Sequence, residues 1–524
     1  MKKLFISLTI MLAATLAYAQ ETFKNPVVWA DMPDPDVIRT DDDFWLVTTT
    51  MHLMPGAPIM HSKDLVNWET VSYLFDRLDE TPKYNMQGGT VYGRGQWATS
   101  IRYHNGTFYA LFSPNDEPFR SFVYTTKDPR KGWTLHSRLP HFHDASLFFD
   151  DDGRVYVFSG TGKLTELNAD LTAKKEGGVD ITLNVRDEEE NNLLEGSRVI
   201  KHDGRYYLLM ISWPKDKPRR QLCYRADKIT GPYEKKVILE DAFAGFPYVA
   251  QGTIVDDGKG NWYGVIFQDR NGVGRVLTVM PCRWVDGWPM LGDENGHVPA
   301  TMTKPVQGYS SEGLVVSDDF SGDKLKLNWQ WNHNPMNDCW SLTERKGYLR
   351  LKTGRVVDNL FVAPNTLTQR MEGPECSGVV CMDLSGMKDG DVAGLSAFNG
   401  DAGILSVTCE GNRKYLTMKT ESVRLDDTNK AVTGIDRNVM QTVDLTSDVI
   451  YLRLDGDFRL NKDMACFYYS YNNKDWKKIG SDFKMIFDYR RFFMGTKFAL
   501  FNYATKTLGG FVDIDFFDYK HIKK

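Results

Sequence analysis

The 524-residue sequence predicts an all-β protein, in which a five-bladed β-propeller is followed by a β-sandwich of jelly-roll type. Three observations lead to this fold class. Helical periodicity is scarce, whereas short apolar runs separated by Gly, Asp and Asn recur along the chain. One sequence unit is repeated five times in the first part, and strand-like alternation fills the last part. The length also exceeds the about 250–300 residues at which one core usually gives way to several domains.

The repeated unit consists of an apolar pair, a polar turn and a bulky pair that opens an apolar strand. The second bulky residue of each copy is, in order, Trp45, Tyr109, Tyr156, Tyr207 and Tyr263. Repeats of roughly 50 residues that each hold several strands are typical of propeller blades, so five copies predict five blades. The alternative is a set of unrelated hairpins within one large sandwich.

Each copy also places one residue at an equivalent position, four residues before its first apolar residue. These residues are Asp34, Trp97, Asp144, Glu195 and Gln251. Because propeller blades are arranged radially, equivalent positions form a ring around the central channel. Three carboxylic acids are costly to bury in one ring without a function. The pattern indicates a glycosidase centre, in which one carboxyl acts as a general acid and another as a base or nucleophile.

The repeat ends near Pro305, which divides the chain into domains. We assign residues 20–306 to the propeller, 307–316 to a linker and 317–524 to the sandwich, where segments such as 348–352 alternate as strands do. We expect the sandwich to pack on the propeller and to lend a loop to the pocket rim, with Trp329 and Trp331 in its core. A carbohydrate-binding module is the alternative.

The first 19 residues have the pattern of a secretory signal peptide. Lys2 and Lys3 precede a short apolar run, and Ala17-Tyr18-Ala19 forms a small-x-small cleavage site. We therefore expect cleavage after Ala19 and a secreted or periplasmic location. No later stretch reaches the about 18 apolar residues that a membrane-spanning helix needs, so no membrane span is predicted.

Composition restricts the partners. The formal net charge is −5 and no basic stripe is visible, which argues against nucleic acid as a partner. The 13 Trp, 24 Tyr and 29 Phe suit a neutral ligand such as a sugar, whose C–H faces stack on aromatic rings. The seven cysteines are odd in number and have neither close pairing nor zinc-type spacing, so we expect free or simply buried thiols.

Two other acidic features are interpreted as structural. Asp36 is close to Asp34 in the chain but lies outside the ring position. The run Glu188-Glu189-Glu190 precedes Glu195 and is predicted to be a solvated loop, with a place on the pocket rim as the alternative.

Several motifs, taken in order along the chain, resemble a known family. They are the segments 33–39 (PDPDVIR), 61–68 (HSKDLVNW), 143–148 (HDASLF), 195–198 (EGSR) and 284–289 (WVDGWP). The series is similar to glycoside hydrolase family 43 and covers residues 25–300 or so. The resemblance implies a five-bladed propeller that hydrolyses glycosidic bonds with inversion of configuration.

The resemblance also implies roles for the three carboxylates. Asp34 would be the general base, Glu195 the general acid, and Asp144 the third carboxylate that orients the acid and raises its pKa by like-charge repulsion. An inverting enzyme needs its acid and base about 6.5–9.5 Å apart to leave room for a water molecule. Opposite walls of a propeller channel can supply that gap.

Four further residues are expected to bind the substrate. By resemblance, Arg275 of the Gly-Arg motif would contact the sugar in the innermost subsite. Trp97 offers a flat wall, and Gln251 and His143 line the pocket.

The sequence departs from the family pattern at two positions. Thr99 follows Trp-Ala where the family often has Pro, and Ala250 precedes Gln251 where the family commonly has His. That His sometimes serves a metal or water in the channel, so Ala250 argues against a channel calcium ion. We expect no metal ligands and no required cofactor.

The resulting prediction is an exo-acting, inverting α-L-arabinofuranosidase that removes terminal residues from side chains of plant cell-wall polysaccharides or oligosaccharides. The segments 48–56 and 267–275 look closer to arabinofuranosidase-like members of the family than to xylosidases. β-D-Xylosidase activity is the alternative. A non-catalytic sugar-binding propeller is a further alternative, and so is a fructan-type retaining hydrolase, whose Asn-Asp-Pro-Asn and Arg-Asp-Pro signatures are absent from the sequence.

Overall fold

The computed structural model describes residues 20–522, and within them the chain forms two β domains. The first domain contains five antiparallel sheets of four strands each, so the predicted five-bladed propeller is confirmed. The predicted signal peptide, residues 1–19, lies outside the described residues, and its cleavage stays a prediction. Among the residues described, no helix is long and apolar enough to cross a membrane.

Each blade consists of four strands that follow one another along the chain and pair in that order. The strands are Asp36–Thr40, Asp43–Val47, Gly56–Ser62 and Glu69–Phe75 in blade 1; Ser100–His104, Thr107–Phe112, Arg120–Thr126 and Thr134–Pro140 in blade 2; Ser146–Phe149, Val155–Ser159, Lys163–Leu167 and Asp180–Thr182 in blade 3; Leu193–His202, Arg205–Trp213, Arg220–Ala226 and Glu234–Leu239 in blade 4; and Gly252–Asp256, Trp262–Asp269, Arg275–Val285 and Trp288–Leu291 in blade 5.

The blades close into a ring around a channel. The first strand of each blade contacts the first strand of the next, and that of blade 5 contacts that of blade 1. These first strands therefore line the channel. A short pair, Thr22–Lys24 with Thr301–Thr303, joins the two ends of the propeller segment.

The second domain is the predicted β-sandwich of two large antiparallel sheets. One sheet contains Val432–Asp444, Arg413–Leu425, Asp401–Glu410, Asp391–Phe398, Lys497–Ala504, Leu367–Arg370 and Gln330–Asn332. The other contains Trp340–Ser341, Leu349–Lys352, Phe511–Ile522, Glu375–Asp383, Val449–Asp457, Met464–Ser470 and Lys477–Lys478, and Phe483–Lys484 also pairs with Met464–Ser470. Short 3-10 helices lie at Pro82–Asn85, Pro129–Lys131, Asn271–Val273, Asn337–Cys339 and Leu360–Val362.

The side chains of the sandwich core come from both sheets. Trp329 and Trp331 are buried in this core, as predicted. The seven cysteines are all free thiols, and five of them are buried, in agreement with their sequence pattern.

The two domains share a sheet and a buried interface. The short strand Leu53–Met54, from the loop within blade 1, pairs with Gln330–Asn332 and so extends the first sandwich sheet. Beside it, Tyr92 of the propeller stacks on Phe492 of the sandwich with ring centroids 3.9 Å apart. The expectation that the sandwich packs on the propeller is confirmed.

A buried charge network connects four blades at the channel. Asp36 of blade 1 pairs with Arg102 of blade 2 at 2.6 Å and with Arg198 of blade 4 at 3.5 Å. Arg102 also donates to Ser146 Oγ of blade 3 at 2.7 Å. The structural interpretation of Asp36 is confirmed, since its carboxylate is fully buried between two guanidinium groups.

The prediction of a solvated loop at Glu188-Glu189-Glu190 is wrong for Glu190. Its side chain is buried and pairs with Arg220 at 2.6 Å and Lys235 at 3.0 Å. Both cations lie on later strands of blade 4, so the loop is held against the blade by partners that the local sequence does not reveal.

Asp36→Asn tests the charge network. The change leaves two buried guanidinium groups without their anion, so we expect the free energy of unfolding to fall by about 3–5 kcal/mol. Chemical denaturation measures this loss.

Asp42→Asn is the matched control, because Asp42 lies in an exposed hairpin turn of the same blade. Its free energy of unfolding should change by less than about 0.5 kcal/mol. Equal, small losses in the two variants would contradict a stabilising role for the network.

Candidate active site

The ring residues lie where the first strands of the blades begin. Asp34, Trp97, Asp144 and Gln251 each precede the first strand of their blade by one to three residues, and Glu195 lies within the strand Leu193–His202. The backbones of Asp34 and Asp144 have φ angles of 53° and 46°, in the left-handed region that Asp tolerates better than most residues. Such conformations cluster at functional sites, and here they accompany two of the three carboxylates.

Asp34 is held by three groups from different parts of the chain. Thr49 Oγ1 donates a hydrogen bond to Oδ2 at 2.6 Å, and Arg275 Nη1 lies 3.4 Å from Oδ1. Arg198 Nη2 donates to the backbone carbonyl of Asp34 at 3.0 Å. A hydroxyl donor and a guanidinium therefore hold this carboxylate in place from two sides.

Asp144 and Glu195 lie together, with His143 bridging them. His143 Nε2 is 3.3 Å from Glu195 Oε2 and 3.9 Å from Asp144 Oδ2. One polar atom of each of the three residues lies within 4.8 Å of the others. The sequence placed His143 only on the pocket lining, so its contact with two of the three ring carboxylates is an addition from the structure.

The electrostatics of this cluster are set by burial and by crowding of charge. Burial raises the pKa of Asp144; the cation at His143 opposes this rise, and the charges of Glu195 and Asp34 add to it. Burial lowers the pKa of His143, but its hydrogen bond to Glu195 and the charges of Asp144, Glu195 and Asp34 outweigh that effect and raise the pKa to about 9. The imidazole is therefore a cation at neutral pH.

Arg275 is covered by the sandwich domain. Its side chain is buried, Nη2 donates to the carbonyl of Phe493 at 3.0 Å, and the guanidinium lies 4.6 Å from the centre of the Phe493 ring. That Arg275 contacts sugar stays a prediction, and the structure shows that it pairs with Asp34. The local sequence of the sandwich does not reveal that Phe493 reaches the channel.

A second buried carboxylate fixes this interdomain contact. Asp31 accepts hydrogen bonds from the backbone N–H of Arg275 and from that of Gly495, both at 2.9 Å. A side chain at Gly495 would collide with the carbonyl oxygen of Val273, so the sandwich and blade 5 backbones approach closely here. The sandwich segment 487–495 thus reaches the residues of the ring, where a loop at the pocket rim was expected.

Trp97 and Gln251 complete the ring. The indole of Trp97 is partly exposed, lies 5.5 Å from the His143 ring and 5.8 Å from the Phe493 ring, and donates to the Gly93 carbonyl at 3.0 Å. The buried Nε2 of Gln251 has no hydrogen-bond partner among the described residues.

The neighbouring Ala250 is fully buried, and its methyl side chain offers no ligand atom to a metal ion. That neither calcium nor another cofactor is required stays a prediction.

The charge on His143 predicts a pH-dependent contribution to stability. Because its pKa in the folded protein is raised from 6.5 to about 9, the contribution is fully present below pH 6.5 and is lost as the pH rises through about 9. We expect the difference in melting temperature between the wild-type protein and His143→Gln to be largest at the acidic end and to shrink across this range.

His141→Gln is the control, since His141 is a neighbouring histidine whose pKa is lowered by burial and by the charge of His143. Its contribution has the opposite sign, because a lowered pKa makes protonation destabilising as the pH falls. A difference for His143→Gln that does not vary with pH would contradict the assignment of a cation beside Glu195.

Comparison with known proteins identifies the family. The family model of glycosyl hydrolases family 43 matches residues 23–289. The model of the beta xylosidase C-terminal Concanavalin A-like domain matches residues 317–520. A beta-xylosidase of Formosa agariphila is 29% identical over 95% of this chain and 90% of its own length. A non-reducing end alpha-L-arabinofuranosidase of Bacteroides ovatus is 28% identical over 81% of this chain and 83% of its own length.

A solved structure agrees with these matches. The structure of a bifunctional GH43-CE of Bacteroides eggerthii superimposes with a TM-score of 0.88 and 41% identity over 97% of this chain. This chain spans 64% of the length of that protein. With a family match over more than half of its residues, the chain belongs to glycosyl hydrolases family 43.

Proposed function

We propose that this glycoside hydrolase is an exo-acting, inverting enzyme that releases terminal pentosyl residues, β-D-xylosyl residues first and α-L-arabinofuranosyl residues second. The observation that carries the proposal is the convergence of Asp34, Asp144 and Glu195: polar atoms of Asp144 and Glu195 lie within 4.8 Å of each other, and the charges of Glu195 and Asp34 both raise the pKa of Asp144. Such a set supplies one protonated and one ionised carboxyl at the same sugar, as hydrolysis of a glycosidic bond requires.

In the proposed mechanism, Glu195 donates a proton to the glycosidic oxygen as the bond to the anomeric carbon breaks. Asp34 takes a proton from the water molecule that attacks the opposite face of that carbon. Thr49 and Arg275 hold the carboxyl of Asp34 in place by a hydrogen bond and an ion pair. His143 Nε2 lies 3.3 Å from Oε2 of Glu195 and so helps to position the carboxyl that donates the proton.

The position of Asp144 supports a role in tuning the acid. Its carboxyl is buried, lies within 4.8 Å of Glu195 and belongs to the same crowded charge cluster. Like charges at this distance disfavour a second ionisation, so the cluster retains a proton at a pH where an isolated carboxyl would lose it.

Closure of the site by the sandwich supports exo action. Phe493 lies against both Trp97 and Arg275, so the segment 487–495 walls one side of the channel entrance. A channel entrance with a wall on one side leaves less room for the middle of a sugar chain than for its end. Terminal sugars are therefore the expected substrates.

The names of similar proteins are the reason why xylosyl residues are proposed first and arabinofuranosyl residues second. The Formosa agariphila relative is named a beta-xylosidase, and the C-terminal domain matches a domain described as that of beta xylosidases. The Bacteroides ovatus relative is about as similar and is named an arabinofuranosidase, which supports release of arabinofuranosyl residues as the second candidate. The arabinofuranosidase-like segments of the sequence favour that candidate too. A secreted or periplasmic location would bring the enzyme to plant polysaccharide fragments.

Proton NMR of two parallel digestions tests the proposal. One contains xylobiose and the other an arabinofuranosyl-substituted xylo-oligosaccharide. We expect faster release of xylose, which appears first as the α-anomer because one displacement by water inverts the β-linkage.

Each alternative to this proposal predicts a different result in the two digestions. Faster release of arabinose would replace the first candidate by the second. First appearance of the β-anomer of xylose would contradict inversion, and release of neither sugar would overturn the proposed hydrolase function.

A further inference from the structure

An exposed tryptophan lies beside the strand that carries Glu195. Trp213 ends the second strand of blade 4 and is 41% exposed. In the antiparallel ladder, Trp213 lies opposite Leu193, and Ile211 lies opposite Glu195. Directly opposed residues, and residues two apart on one strand, have their side chains on the same face of a sheet. The indole of Trp213 is therefore on the face that presents Glu195, about 7 Å further along the strand.

Arg219 fixes this indole in a stack of side chains. Its guanidinium lies 4.6 Å from the centre of the Trp213 ring and 4.8 Å from that of Tyr248. Nη1 donates to the Tyr248 hydroxyl at 2.6 Å and to Asp269 Oδ2 at 3.2 Å, and the Tyr248 hydroxyl donates to the same carboxylate oxygen. A guanidinium held by two rings and two hydrogen bonds is an ordered support for the indole.

Asp269 connects the stack to the other side of the site. It lies directly opposite Arg275 in the ladder of blade 5, and Arg275 pairs with Asp34. One end of the stack is thus beside the strand of the proposed acid, and the other is beside the arginine that holds the proposed base. Phe493 of the sandwich also contacts Arg275, so the stack adds a second aromatic wall to the site.

We propose that Trp213, supported by Arg219 and Tyr248, binds the sugar ring on the leaving-group side of the cleaved bond. The inference rests on the proposed hydrolase function. The ligand is a neutral pyranose of an oligosaccharide or polysaccharide, whose C–H face covers the exposed indole. Its hydroxyls accept hydrogen bonds from Nε and Nη2 of Arg219, which make none within the described part of the chain. Because Asp269 pairs with Arg219, the platform favours a neutral ring over an acidic one.

A comparison of two substrates with the same terminal sugar distinguishes binding of the leaving-group sugar by Trp213 from an effect on the catalytic step. Xylobiose places a sugar ring on the platform, whereas β-D-xylosyl fluoride has a leaving group too small to reach it. We expect Trp213→Ala to lower kcat/KM for xylobiose about 10-fold and to leave that for the fluoride within about twofold of the wild type. Trp213→Phe keeps a ring and should retain most of the activity on xylobiose.

Tyr103→Ala is the matched control, because it removes a ring that is 48% exposed near the hairpin turn of blade 2. Tyr103→Ala should leave kcat/KM unchanged for both xylobiose and the fluoride. Equal losses on both substrates in Trp213→Ala, or no loss on either, would overturn the assignment to the leaving-group side. If the wild-type enzyme cleaved neither substrate, the xylosidase activity on which this inference rests would be overturned, and this inference with it.

Discussion

Arg198 is the buried cation on which the geometry of the site depends. Its side chain is 1% exposed, and it bonds to the backbone carbonyls of Asp34 and Thr99 at 3.0 and 3.3 Å while pairing with Asp36. Arg198 also follows Glu195 by three residues on the same strand. One side chain therefore ties the strand of the proposed acid to the loop of the proposed base. An unpaired guanidinium in this position would be costly, so closure of the propeller and the spacing of the two carboxylates depend on the same buried charge.

The second domain is part of the same electrostatic arrangement. Burial raises the pKa of Asp31, but the cations Lys497 and Arg275 and its backbone donors outweigh this effect and lower it. Two of these partners, Lys497 and the N–H of Gly495, come from the sandwich. Since Asp31 also accepts from the backbone of Arg275, the sandwich fixes the arginine that contacts Asp34. This explains physically why the domain packs on the propeller through buried polar groups as well as through apolar surface.

The sequence predicted those features that are encoded locally or by repetition. The five copies of one unit predicted the blades, and equivalent positions within them predicted that Asp34, Asp144 and Glu195 converge. The partners of these residues were not predictable in the same way. Phe493 lies more than two hundred residues from Arg275 in the chain, and only the folded domains bring it there. Glu190 was misread for the same reason, because its counterions Arg220 and Lys235 belong to later strands.

The central claim is that Glu195 gives a proton to the leaving group and Asp34 takes one from water, and the dependence of rate on the leaving group tests it most directly. Glu195→Gln and Asp34→Asn are compared on aryl xylosides with good and poor leaving groups, with Glu188→Gln, an exposed carboxylate of the preceding loop, as the control. A good leaving group needs no proton, so Glu195→Gln should lose at least about 100-fold on the poor substrate and far less on the good one. Asp34→Asn should lose at least about 100-fold on both. Equal losses for Glu195→Gln on the two substrates, or wild-type rates for either variant, would contradict the account.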